Sequence, residues 1–398
     1  MNALQKNFST KALADCYSRN RSKFRKAGSA GIDGVGLIDF DDELTENIAD
    51  LSKQIISGAY VHKSLKAFAF LKSNGKVRWI CVPTIRDRLV QRRVAEVILQ
   101  GAHSKIRTEF GFGALKREGA EAERTATKVA LALRQESPWV VKSDISAFFD
   151  ELRRDSVKAA YRNVCRQRSL YALIDQVIDV EAVPRPGTPH KMNESGITRG
   201  RGLRQGMPLS PLLAHISLVA LDNFLESRGI KFVRYVDDLV FFGVSKDEAV
   251  RAFEVAKSWL SERHLELPNI REGKTEICKP SQHVEFLGID IYKAKNIYRM
   301  RIPSSKFDRL DGRFSEKSFL NLENPAHGEV LSALRFVSSA RKSYSGVYRF
   351  LDNWPAFENK IRDYERRSIR IISKRLSDIS TKRGGLSPEV LRAFGVAP

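Results

Sequence analysis

Apolar positions recur in two alternating registers along this chain, and each change of register marks an element. Leu44, Ile48, Leu51 and Ile55 fall three and four residues apart, which predicts a helix over residues 41–57. Phe68-Ala69-Phe70-Leu71 and Val77-Arg78-Trp79-Ile80-Cys81-Val82 flank Ser73-Asn74-Gly75 and predict two strands around a turn. Pro83 closes the second strand. A helix follows over 86–100, with Leu89, Val90, Val94, Val97 and Ile98 on its apolar side. Trp139-Val140-Val141 predicts a short strand running into Asp144. The Pro- and Gly-punctuated stretch 184–202 reads as a loop or exposed hairpin. Residues 209–225 predict a Leu- and Ala-rich helix, 232–243 an apolar strand pair, 248–264 an amphipathic helix and 284–292 another strand. Residues 1–27 are polar and basic and predict a leading helix, ended by Gly28-Ser29-Ala30-Gly31-Ile32-Asp33-Gly34. The last hundred or so positions read as helical and basic. Strands and helices interleave without a regular repeat, so the expected class is α+β.

Composition narrows the function classes. The chain has 398 residues, 42% of them hydrophobic, enough for two or three packed units at roughly 150 residues each. Lys and Arg total 68 against 47 Asp and Glu, a net charge of +21. Such an excess points to a polyanionic partner, nucleic acid first and an anionic membrane surface second. No run approaches the ~18 apolar residues of a membrane-spanning helix, and positions 1–31 contain no apolar signal segment. Cys16, Cys81, Cys165 and Cys278 are scattered, without a CxxC pair, which suits a reducing cytoplasm and offers no zinc site.

The sharpest chemistry lies in Phe232-Val233-Arg234-Tyr235-Val236-Asp237-Asp238-Leu239-Val240-Phe241-Phe242. Two adjacent carboxylates interrupt an otherwise apolar pattern, and burying them is costly because each loses hydration and repels the other. A hairpin turn that exposes them is one remedy. A divalent cation is the other, since Mg²⁺ takes hard oxygen ligands from one or two carboxylates and substrate phosphates. Asp144 ends the strand Trp139-Val140-Val141-Lys142-Ser143-Asp144 in a similar setting, as a helix N-cap or as a metal ligand. Two strand-end acidic sites of this kind could share a pair of metals and catalyse phosphoryl transfer.

Tyr235-Val236-Asp237-Asp238 resembles the YxDD box of reverse transcriptases. Asp144 with Phe149 five positions on resembles their first carboxylate motif, and Gln205-Gly206-Met207-Pro208-Leu209-Ser210-Pro211 their QGxxxSP motif. Lys72-x-x-Gly75-Lys76-x-Arg78, with Pro83-Thr84-Ile85-x-Asp87-Arg88-Leu89-Val90-Gln91, is similar to the fingers of group II intron-like enzymes. Gly31-Ile32-Asp33-Gly34-Val35, Lys274-Thr275 and Phe286-Leu287-Gly288 extend the likeness over residues 28–292. The resemblance implies a right-hand polymerase fold: N-terminal extension 1–40, fingers 41–135, palm 136–295 with an insertion at 159–200, and a helical basic thumb 296–398. It implies Asp144, Ile145, Asp237 and Asp238 as the metal set for two Mg²⁺ ions, with Mn²⁺ an alternative, and Lys274 as a proton donor to pyrophosphate or a surface ion pair. Phe149 would exclude a 2′-hydroxyl or simply fill the core. Gln205 and Gly206 would line the nucleotide pocket, and Lys72 and Arg78 would face the triphosphate or sit on a solvated hairpin. Arg204 stands where many relatives have proline. His215, on an apolar helix, reads as a core or groove residue.

Between 360 and 383 nine cations, Lys360, Arg362, Arg366, Arg367, Arg370, Lys374, Arg375, Lys382 and Arg383, face only Asp363, Glu365 and Asp378. Arg366, Arg367, Arg370 and Lys374 are the candidate nucleic-acid contacts, against the alternative of a solvated charged face. The expected function is RNA-directed DNA synthesis from dNTPs on an RNA template, with a DNA/RNA duplex as product. By resemblance to stand-alone bacterial enzymes, it would copy an associated noncoding RNA in antiphage defence. A minimal group II intron-type or retron-type enzyme, an RNA-dependent RNA polymerase and a catalytically idle RNA-binding scaffold remain alternatives. The expected location is cytoplasmic, without a membrane partner; the oligomeric state is open.

Overall fold

The leading helix forms in two pieces, α1 (Ala3–Asn7) and α2 (Thr10–Ala27), because the Ser9 side chain accepts the Ala12 amide at 3.3 Å and starts the second piece anew. This computed structural model describes residues 3–71, 75–113, 122–317 and 327–382. The chain divides into two compact units, Met1–Ile277 and Cys278–Pro398.

In the first unit, α3 (Leu37–Asp42) leads into α4 (Leu44–Ser57), which buries Ile48, Leu51 and Ile55 and stops at left-handed Gly58. The strands β1 (Leu65–Leu71) and β2 (Val77–Val82) pair antiparallel, Phe68 opposite Ile80. Ser73 and Asn74 of the expected turn lie outside the described residues. The helix α5 (Ile85–Ile106) begins at Thr84, whose hydroxyl caps the Asp87 amide. It is longer than the apolar stripe suggests and is buried on nearly every side. Next come β3 (Gly111–Phe112), α6 (Ala122–Glu136), β4 (Trp139–Asp144), α7 (Phe148–Glu151), α8 (Arg154–Val164) and α9 (Tyr171–Asp179). The expected loop holds one strand residue set, β5 (Ala182–Pro184), paired parallel to β1. Then α10 (Ser210–Glu226) runs through the core, buried on almost all faces.

The apolar pair of strands is a hairpin, β6 (Phe232–Tyr235) and β7 (Asp238–Gly243), followed by α11 (Lys246–Ser261) and β8 (Glu276–Cys278). The resulting five-stranded sheet has the order β3-β6-β7-β4-β8. Its residues Val141, Phe232, Leu239 and Phe241 join α5, α10 and α11 in one hydrophobic core.

In the second unit the strand expected over 284–292 is broken. Leu287 and Gly288 both take positive φ and turn β9 (Val284–Phe286) back onto β10 (Ile289–Ala294). A third strand, β11 (Ile297–Arg301), follows, so the helical part begins only at α12 (Ser304–Lys317). With α13 (His327–Tyr348) and α14 (Trp354–Lys382) it packs through rings, Phe307 against Phe357 and Phe314 against Tyr364. All four cysteines are buried thiols outside any disulfide, and burial pushes the Cys16 and Cys81 thiols up to about 12. Among the described residues no helix is long and apolar enough to cross a membrane.

Candidate active site

The pleat of the central sheet decides where the carboxylates go. Asp144 is the last residue of β4 and Asp238 the first of β7, and the antiparallel register sets them directly opposite one another. Like charges across a strand pair repel. Asp237 occupies the two-residue turn between Tyr235 and Asp238 and is tied to the residue just after β4 by its carbonyl, which accepts the Ile145 amide at 3.1 Å. The residue before it, Val236, has φ 58°, a conformation that costs a β-branched side chain on the order of 1–3 kcal/mol. The hairpin thus holds a strained turn that carries acids.

Electrostatics show what the arrangement costs. Burial, reinforced by Asp237 and Asp144, pushes the Asp238 carboxyl up to about 6, and burial also raises Asp237. Lys274 bonds Asp144 Oδ2 at 2.8 Å, and that hydrogen bond raises the Lys274 ammonium. The lysine side chain stays 68% exposed, so it can swing clear. Ser143 and Thr275 hydroxyls meet at 2.7 Å beneath, fastening β4 to the segment that carries Lys274.

Hard oxygen donors whose negative charge is only partly offset by Lys274 fit a divalent cation in kind. Among the described residues no three His, Cys, Asp or Glu side chains converge well enough to hold a metal ion alone. Ile145 has a buried apolar side chain, so only its main-chain oxygen could join the set.

Phe149 is the second residue of α7, which left-handed Ala147 precedes, and lies half-buried against the core with its ring 5.6 Å from that of Phe148. Its carbonyl accepts the Leu203 amide at 2.7 Å, and Gly202 bonds the Leu152 carbonyl at 2.8 Å. The loop from Gly202 to Gly206 is therefore laced to α7. On its other side the Gln205 carbonyl accepts the Cys81 amide at 2.7 Å, and the Gln205 side chain accepts Arg78 Nε at 2.7 Å. Gly206 has φ 105°, and a Cβ there would lie 2.4 Å from the Cys81 carbonyl oxygen. Arg78 also lies within electrostatic reach of Asp237. So Asp144, Asp237, Asp238 and Lys274 form one cluster, while Arg78, Gln205 and Gly206 form a second, joined to it through Arg78.

Lys72 lies outside the described residues. Arg366, Arg367, Arg370 and Lys374 are exposed on α14 in the second unit, Arg366 3.9 Å from Asp363. Neighbouring Lys360 and Arg362 are paired with Asp311 and Glu358. His215 is buried, its Nε2 2.9 Å from the Ile106 carbonyl. Two structural charges carried no readable signal, Glu181 and Asp222, and Arg204 was visible only as a departure from the expected motif. Arg204 is 2% exposed and pairs with Glu181 at 2.7 Å while donating to the Thr198 and Arg201 carbonyls at 3.0 Å each. A guanidinium thus braces the loop at this position.

The family model described as "Reverse transcriptase (RNA-dependent DNA polymerase)" matches residues 70–291. The chain is 24% identical over 318 residues to Protein YkfC of Escherichia coli (strain K12), a match covering 70% of this chain and 80% of that one. It is 25% identical over 190 residues to Group II intron-encoded protein LtrA of Lactococcus lactis subsp. cremoris, covering 48% of this chain but 30% of that protein. Among solved structures, telomerase from Candida Tropicalis with the TWJ fragment of telomeric RNA aligns with a TM-score of 0.44 at 14% identity. That alignment covers 87% of this chain and 60% of the telomerase chain.

Proposed function

Because the chain belongs to the reverse transcriptase (RNA-dependent DNA polymerase) family, whose right-hand polymerase fold it has, we propose that Asp144, Asp237 and Asp238 form its nucleotidyl-transfer centre. On this reading residues 41–135 act as fingers, 136–295 as palm with an insertion at 159–200, and 296–398 as thumb. The observation that carries it is the register of Asp144 opposite Asp238 beside the Asp237 turn, inside the matched segment. The three carboxylates, with the Ile145 main chain, would hold the cations. Two bound Mg²⁺ ions would neutralise charge on the attacking 3′-oxygen and the leaving pyrophosphate. Arg78 and Lys274 supply positive charge for the triphosphate, and Lys274, once off Asp144, can hand a proton to the leaving group. Gln205, oriented by Arg78, lines the nucleotide pocket beside Gly206. Phe149, on the short α7 after β4, excludes a 2′-hydroxyl.

Primer extension on an RNA template tests the assignment. Incorporation of dNTPs over rNTPs, dependent on Mg²⁺ and lost in the Asp237→Ala, Asp238→Ala double variant without loss of folding, is the expected result. Synthesis that survives the double variant removes the assignment, and preference for rNTPs would make the chain an RNA polymerase. The biological setting we propose is the copying of an associated noncoding RNA in antiphage defence. It is supported by the net charge of +21 and by the resemblance to stand-alone bacterial enzymes. The likeness to an intron-encoded protein favours a second reading, a group II intron-type enzyme. Sequencing RNA that copurifies from cells separates them: intron RNA supports the second reading, and a distinct small RNA with a change in phage plating supports the first.

A further inference from the structure

A charged residue lies fully buried two positions before the acidic turn. Arg234, in β6, and Asp222, on α10, are both 0% exposed. Burying such a pair is favourable only when the geometry is good and every donor is used. Here the guanidinium forks onto Asp222: Nε donates to Oδ1 at 2.7 Å and Nη2 donates to Oδ2. Its remaining arm, Nη1, donates at 3.0 Å to the carbonyl of Val236.

That carbonyl belongs to the peptide plane whose N–H is that of Asp237. Fixing it fixes the plane on which the Asp237 carboxylate swings. The same turn is held from the opposite side, where the Val236 amide donates to the Phe112 carbonyl at 3.2 Å. Gly113 leaves room for it: a Cβ there would sit 2.6 Å from Val236 Cγ2. Asp222 is fixed in turn by the Thr108 hydroxyl at 3.0 Å, and Gly111 admits it, since a Cβ would lie 2.1 Å from its Oδ2. His215 Nδ1 lies 3.4 Å from Arg234 Nη2 and backs the fork. The chain from α10 to the turn is therefore a continuous series of bonds ending one atom group short of a candidate metal ligand.

We propose that Arg234 is a positioning residue: anchored by Asp222, it clamps the Val236 carbonyl and holds the strained turn in the one conformation that aims Asp237 at the cation. The proposal rests on the reading of Asp237 as a ligand, and it assigns Arg234 no contact with substrate.

Two variants test it. Arg234→Lys keeps the charge but cannot reach Asp222 and Val236 together. The double replacement Arg234→Met, Asp222→Leu removes both buried charges, a swap that leaves stability near neutral when volume is kept. Amide hydrogen exchange at Val236, Asp237 and Asp238 is compared with that at Val240 and Phe242 in the same hairpin. Mn²⁺ binding without nucleotide, melting temperature and dNTP kinetics complete the set. In both variants turn exchange should quicken and Mn²⁺ affinity and kcat fall, each roughly tenfold or more, the scale of one lost charge-assisted hydrogen bond. The dNTP KM should hold. Turn exchange and Mn²⁺ affinity equal to wild type, with only melting changed, would make Arg234 a plain structural residue and overturn the proposal. If one variant fails to fold, the other decides. If wild type itself binds no Mn²⁺ and adds no dNTP, the site assignment fails, while the exchange comparison still rules on the clamp.

Discussion

At the scale of single residues, the site stores unfavourable charge. The folded chain holds a proton on Asp238 more tightly than the unfolded chain does, its carboxyl moving from 3.8 up to about 6. Raised acids work against folding once ionised, so metal-free stability should fall as pH rises between those values and stay low above them. Asp238→Asn removes the penalty. At pH 7.5 and without metal, the variant should be more stable by on the order of 1–3 kcal/mol, allowing for the partial exposure of the group. The advantage should vanish near pH 4 and reverse when saturating Mg²⁺ is added. Melting curves at several pH values check this, and a less stable metal-free variant at pH 7.5 would contradict the charge argument. Phe149 presents a choice between gate and packing. Phe149→Ala should cost about 1–3 kcal/mol, less than a fully buried ring, and should narrow dNTP over rNTP discrimination by at least roughly tenfold. Unchanged discrimination with a lower melting temperature would leave Phe149 as packing alone.

At the scale of elements, local patterning told most of the story, and its failures have local or distant causes. The 68–71 and 77–82 strands, the 209–225 helix and the hairpin around Asp237 were readable because alternation and helical spacing are properties of neighbouring residues. The break at Leu287 and Gly288 was not, since an apolar residue before a glycine hides a turn inside an apolar run. The pairing of β5 with β1 joins residues more than a hundred positions apart, and no window of sequence contains it. Arg204 looked like a departure from pattern for the same reason: its partner Glu181 lies 23 residues upstream. The loop before α10 yields a prediction of its own. Gly206→Ala must push the loop off β2, because the new methyl group meets the Cys81 carbonyl and φ is positive. The dNTP KM should rise roughly tenfold as the Arg78–Gln205 bond is lost, with stability down by on the order of 2 kcal/mol. A variant with wild-type KM would detach Gln205 from nucleotide binding.

For the whole molecule, the net charge of +21 carries more weight than any single basic residue. Each phosphate contact releases counterions, so nucleic-acid affinity should fall steeply with salt. Neutralising Arg366, Arg367, Arg370 and Lys374 together should flatten the plot of log affinity against log salt by roughly one unit per true contact, with little change in sequence preference. An unchanged slope in binding titrations would mean that this face of α14 is merely solvated. The candidate site was legible as three motifs but not as a geometry: nothing along the chain states that Asp144 faces Asp238, or that Arg234 bonds the Val236 carbonyl of the turn. Finally, the burial of all four cysteines should make the native protein nearly silent towards thiol reagents, which attack the thiolate. Colorimetric thiol counting at neutral pH should find almost none in the folded chain and all four in denaturant. A single Lys374→Cys substitution would then accept a fluorophore against a dark background, with no native cysteine removed, and report directly whether α14 meets nucleic acid.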